Sequence, residues 1–288
     1  MKRLSKPIFT AGEVYDACVN NISKQSLNDR FVAAKTDVMT KANEYEVKAG
    51  THDLYLLPAN ARGNGGQIAV ADLKKSELVS LYEDHLVKKK TLGRQYYDKL
   101  MMLAPLGICP FCGFGHASTL DHFLSKSRYP AFSVLPFNLV PSCKDCNTGK
   151  KPSALTKRTQ LPHPYFENAL IETDVWLFAE VLHSNPATVN FFAKPPAGWQ
   201  QDLTDRVKTH FKDFHLESRF SVEAASELVS IGDIVSFLKT PEERKEHLHQ
   251  IAQIERSGIR KNSWKAALYE ALDESDWFQQ IGYQHPPQ

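Results

Sequence analysis

Two pairs of cysteines, Cys109-Pro110-Phe111-Cys112 and Cys143-Lys144-Asp145-Cys146, constrain this chain more than any other feature. Each CxxC turn can aim two thiolates at one tetrahedral metal ion, and two such turns complete a four-sulfur structural zinc site. Closing that site ties position 109 to position 146. The thirty residues between the pairs, 113 to 142, are too many for a compact zinc ribbon, so a small folded element must lie between them. A thioredoxin-like redox pair is disfavoured, because no strand-then-helix pattern frames either turn. The fifth cysteine, Cys18, falls on the apolar face of an expected helix and reads as a small buried hydrophobe.

The rest of the chain sets this element between two mainly helical flanks. With 288 residues, 42% hydrophobic and 24% charged, the composition is that of a globular protein. Tyr15, Cys18, Val19 and Ile22 recur at helical spacing, and Phe31, Ala34, Val38, Ala42 and Tyr45 continue it towards a stop at Gly50. Leu78, Leu81, Tyr82 and Leu86 begin a further helix that carries Lys88, Lys89, Lys90 and Arg94. From Pro105 to about Pro164 helical periodicity gives way to Pro, Cys, Gly and aromatic residues, with strand-like pieces at 118–123 and 131–135. Residues 175–182 and 188–193 read as two strands joined through Asn185-Pro186, and Trp264, Ala267, Leu268 and Ala271 mark a late helix with Asn262 at its N-cap. The expected fold is therefore α+β and mainly helical. It divides into an N-terminal helical region 1–104, a cysteine module 105–166 and a C-terminal α+β region 167–288.

No membrane span is expected. The longest uncharged stretch, 100–115, is short and broken by Pro105, Gly107 and Pro110. The basic start (Lys2, Arg3, Lys6) is not followed by an apolar run of the signal-peptide kind, so the expected location is the cytoplasm, where cysteines stay reduced. The net charge is only +2, which excludes a general polycation. Between 119 and 160, however, Lys126, Arg128, Lys144, Lys150, Lys151, Lys157 and Arg158 face only Asp121 and Asp145. This local excess suits phosphate contacts that position a nucleic-acid backbone without reading its sequence, with Lys126, Arg128, Lys144, Lys150 and Lys151 as candidates.

Three polar residues within the knuckle suggest the chemistry. A zinc site built from both CxxC turns holds Asn147 within one residue of a ligand, at the expected start of a helix. A strand carrying Asp121-His122 runs back beside it. A carboxylate and an amide oxygen can then share a hard cation such as Mg2+ or Mn2+, with an imidazole next to them to deprotonate a water. That combination suits phosphodiester hydrolysis.

The runs CPFCG, LDHFLSKSRYPAFSVLPFNLVPSC and CKDCNTGK resemble the HNH endonucleases, whose fold is the ββα-metal or His-metal finger. The resemblance implies that His122 is the general base, Asn138 orients the loop that aims it, and Asp121 and Asn147 bind the catalytic Mg2+ or Mn2+. Many members have His at the third position; Asn147 is like those members in which Asn follows the last cysteine of a zinc knuckle. The N-terminal helices and His163-Pro164-Tyr165-Phe166 also look like the HNH nucleases that accompany ABC-type ATPases in Septu-like antiphage systems, including retron-associated ones. This implies an ATPase partner docked on the flanks, and nucleic acid, DNA ahead of RNA such as tRNA, as substrate. His163 itself, next to Pro164, reads as a structural residue at the turn out of the module. The competing reading is a zinc-stapled binding module without catalysis, which would need the cysteines but not Asp121, His122 and Asn147.

Overall fold

The computed structural model describes residues 1–149 and 155–284. The chain divides into two compact units, residues 2–167 and 168–288.

The first unit opens with α1 (Ala11–Val19), whose start is fixed by a capping box between Thr10 and Glu13. Then come α2 (Gln25–Ala33) and α3 (Lys35–Gly50). Where the apolar period suggests one continuous helix, the chain bends at Ala34, which is buried as the joint between α2 and α3. A small antiparallel ladder, β1 (Ile68–Val70) with β2 (Leu73–Lys74), leads into α4 (Lys75–Tyr82). The helix expected to carry Lys88–Lys90 and Arg94 is in fact two. A π turn at Glu83–Val87 ends the first, and α5 (Arg94–Met101) begins at Arg94 itself.

The cysteine module follows as β3 (Thr119–His122), β4 (Leu139–Ser142) and α6 (Lys144–Gly149). The two strands are antiparallel, pairing Thr119 with Ser142, Leu120 with Pro141, Asp121 with Val140 and His122 with Leu139. The strand-like piece expected at 131–135 is not a strand. Pro130 and Pro136 each start a single 3-10 turn, and the carbonyls of Phe132 and Ser133 bond to side chains instead of a ladder.

One apolar core runs through this whole unit. Tyr15, Phe31, Leu78 and Leu81 from the N-terminal helices pack in the same cluster as Leu120, Val134 and Leu139 from the module. The expected boundary at 104/105 falls inside this core, and the expected one at 166/167 lies one residue from the division between the units at 167/168. The unit is also tied at its start, where the Lys2 N–H donates to the Pro110 carbonyl at 2.7 Å and the Leu4 N–H to Pro164 at 2.9 Å.

The second unit holds α7 (Leu170–Thr173) and a hairpin of β5 (Leu177–Leu182) with β6 (Thr188–Ala193). Four helices follow: α8 (Gln201–Asp213), α9 (Leu216–Ser236), α10 (Pro241–Glu255) and α11 (Trp264–Asp273). The hairpin packs on α9, with the Phe191 and Phe220 rings edge to face at 5.6 Å and Ser221 Oγ donating to the Val189 carbonyl. Asn262 is not the cap of α11; Ser263 is, accepting from the Ala266 N–H. Asn262 instead accepts from the Trp176 and Leu177 N–H groups and donates to the carbonyls of Ile171 and Asp174, stapling the entry to β5. The protein is thus α+β and mainly helical. Among the described residues no helix is long and apolar enough to cross a membrane.

Candidate functional site

The four cysteines expected to bind zinc come together. Their sulfurs all lie within 4.8 Å of one another, and all four residues are buried. A tetrahedral site with zinc–sulfur bonds of about 2.3 Å separates its sulfurs by about 3.8 Å. Cys112 Sγ and Cys143 Sγ stand 3.8 Å apart. Backbone N–H groups of Gly115 and Cys146 point at Cys112 Sγ and Cys143 Sγ, at 3.3 and 3.5 Å, as anionic sulfurs require. The donor set fits zinc, and these four cysteines can hold a structural ion.

The knuckle leaves no spare room at Gly115. A Cβ there would stand 3.1 Å from Cys143 Sγ and 3.3 Å from Cys112 Sγ. We therefore expect Gly115→Ala to cost about 1–3 kcal/mol through overpacking and to weaken zinc retention, read by competition with a chelator. Cys18 is far from such chemistry: it is wholly buried, and burial alone pushes its thiol up to about 12.

From the knuckle, β3, β4 and α6 follow as strand, strand and helix, and each expected polar residue has a definite place. Strand alternation puts Asp121 on the same face of β3 as Thr119. The Asn147 Nδ2 of α6 donates to Thr119 Oγ1 at 2.9 Å. Asn147 is therefore held at the Thr119 end of β3, two residues before Asp121. Because the Asn147 nitrogen is turned to Thr119, its amide oxygen faces away from that bond. Asp121 is only 4% exposed.

His122, at the end of β3, is held on two sides. Its Nε2 lies 2.9 Å from the Ser133 carbonyl, and since a carbonyl only accepts, Nε2 carries a proton; in the neutral ring Nδ1 then keeps its lone pair. The Tyr82 ring of α4 meets the imidazole edge to face at 4.4 Å. Burial holds the Tyr82 hydroxyl as a neutral phenol, and the charge of Asp121 adds to this.

Asn138 is the clamp of the loop between the strands. It is wholly buried, its Oδ1 accepts the Leu124 N–H at 2.7 Å, and its Nδ2 donates to the carbonyls of Leu124 and Phe132 at 3.0 Å each. One carboxamide thus fastens the loop just after His122 and just before Ser133, its hydrogen-bond partner.

The basic candidates divide. Lys144 is exposed at the start of α6. Arg128 sits in the clamped loop, and its Nε finds no acceptor among the described residues. Lys126 is committed within the protein, with Nζ 2.7 Å from Glu83 and 4.8 Å from the centre of the Tyr82 ring. Lys150 and Lys151 lie outside the described residues. Sequence reasoning missed Tyr82, Tyr45 and the Ser133 carbonyl. The two tyrosines sit at helical apolar positions like any core residue, and a backbone carbonyl leaves no mark in a sequence.

Among known proteins, no family model matches the chain. It is 32% identical over 234 residues to protein ea31 of Escherichia phage lambda, a match covering 80% of this chain and 79% of that protein. No solved structure matches it.

Proposed function

The chain belongs to the family of the phage lambda protein ea31, and from its own site we propose that it is a metal-dependent endonuclease of the HNH class, hydrolysing phosphodiester bonds in nucleic acid. What supports this reading is that His122 and Asn147 lie on the two-stranded ribbon and the helix that flank one zinc-capable knuckle. Asn147 bonds to Thr119, two residues before Asp121 on β3, and His122 is held at the strand's end through Nε2, which in the neutral ring makes Nδ1 the basic nitrogen.

Asp121 and Asn147 are the residues to hold Mg2+ or Mn2+, which when bound offsets charge on the scissile phosphate and its leaving oxygen. The imidazole of His122 accepts the proton of an attacking water at Nδ1. Its Nε2–H stays on the Ser133 carbonyl, so the ring cannot rotate out of line. Asn138 holds the loop that carries that carbonyl. Lys144 and Arg128 supply phosphate contacts. The reading takes DNA ahead of RNA as substrate, with an ABC-type ATPase as partner. An antiphage role rests on the resemblance to the Septu-like nucleases alone, the ea31 relative being phage-encoded.

The test is cleavage of supercoiled plasmid and of total tRNA by zinc-loaded protein, alone and with any ATPase encoded beside it. Cleavage is expected with Mg2+ or Mn2+ and none when both are withheld while zinc is retained. Tight nucleic-acid binding with no cleavage under any of these conditions would replace the proposal by the zinc-stapled binding module.

A further inference from the structure

His163 and Tyr45 are buried polar residues that the chemistry above does not use, and they lie in line with Asn138. The Tyr165 N–H donates to His163 Nδ1 at 3.2 Å, so Nδ1 holds the lone pair and Nε2 carries the hydrogen. Nε2 lies 3.0 Å from the Tyr45 hydroxyl and donates to it. The Tyr45 hydroxyl then has one hydrogen to give, with Asn138 Oδ1 at 3.1 Å the nearer acceptor and the Phe137 carbonyl at 3.4 Å the other. With His163 neutral, the row therefore runs outward from the Tyr165 backbone to Asn138. It also fixes the Asn138 carboxamide, with oxygen towards Tyr45 and Leu124 and nitrogen towards the Leu124 and Phe132 carbonyls.

The row is dry and tightly packed. Tyr45 and Asn138 are wholly buried and His163 is 2% exposed. The His163 ring stacks on Phe123, the residue after His122, at 4.0 Å, and the Tyr45 ring meets Phe132, the residue before Ser133, at 5.0 Å. In such surroundings an unmade hydrogen bond is costly, and linked bonds polarise one another.

We propose that Tyr45 and His163 are positioning residues of the His122 site: a hydrogen-bond relay from α3 and from the segment after α6 that holds the Asn138 carboxamide and, through the clamped loop, the Ser133 carbonyl that orients the imidazole. This rests on the nuclease reading for its catalytic consequence, but not for its structural one. It gives the helix α3 and the segment after the module a share in the active site.

Tyr45→Phe keeps the ring and removes only the hydroxyl. In that variant kcat should fall about tenfold with KM unchanged, the pattern of a lost alignment and not of lost binding. His163→Ala should behave alike. His163→Gln, whose amide nitrogen can stand where Nε2 stood, should recover most of the loss. Independently of activity, Tyr45→Phe should speed hydrogen exchange at the Leu124 amide and leave the knuckle amides of Gly115 and Cys146 unchanged. Unaltered exchange at Leu124 together with unaltered kcat in Tyr45→Phe overturns the relay. Faster exchange at Leu124 in a protein whose wild type cleaves nothing supports the relay as a loop clamp and removes the nuclease reading instead.

Discussion

Cys143→Ser releases the zinc and dismantles the strand, strand and helix around it. Metal analysis should fall from about one zinc per chain to near none, and the thermal transition should drop or lose its cooperativity. Cys143 stands at the joint between β4 and α6. Its sulfur receives the Cys146 N–H, its carbonyl receives the Asn147 N–H at 3.1 Å, and its neighbour Ser142 ends the strand. Zinc binding at such sites contributes on the order of 10 kcal/mol to folding, comparable with the whole net stability of an ordinary domain, about 5–15 kcal/mol. Full zinc occupancy with an unchanged transition in Cys143→Ser would remove zinc from the account of this fold.

His122→Ala should lower phosphodiester cleavage by about two to four orders of magnitude, the usual worth of a general base. Zinc content should be unchanged, because the imidazole is not among the four sulfurs' partners. Stability should fall by about 1–3 kcal/mol, since the ring packs against Tyr82 and bonds to Ser133. That fall makes assays well below the transition necessary. The comparison that matters is with Cys143→Ser: one variant should lose activity with its metal and fold, the other with both retained. Wild-type cleavage by His122→Ala would move the chemistry away from this module.

Much of this site could be read from residue types and spacing. The zinc cluster follows from two CxxC turns, because four thiolates in that pattern have few other uses. Asn147 follows from it, being covalently next to a ligand. Other parts were hidden for physical reasons. The α2–α3 break at Ala34 leaves the apolar period intact, so periodicity alone merges the two helices. Residues 131–135 are as apolar as a strand, but the prolines at 130 and 136 and the demands of Asn138 and His122 on its carbonyls take the segment out of any ladder. Asn262 has the composition of a cap, yet its four backbone partners lie some 85 to 91 residues earlier in the chain, a pairing that local pattern cannot reveal. The shared core has the same origin. Apolar faces at Leu81 and Leu120 are visible one at a time, and that they face each other is a property of the folded chain.

That shared core has a consequence for synthesis. As the chain leaves the ribosome, α1 to α5 appear first with their apolar faces uncovered, because Leu120, Val134 and Leu139 have yet to emerge. The knots that close the unit come later still, when Pro164 accepts from Leu4 and His163 reaches Tyr45. Contacts so distant along the chain form slowly, since the loop between them must be ordered first. A nascent chain stopped at residue 150 would carry all four cysteines, Asp121, His122, Asn138 and Asn147, yet lack the last pieces that hold them in register. For a chain with the proposed nuclease activity, translation itself would then act as a safety catch, with competence to cut arriving only after the site residues have cleared the machinery that made them.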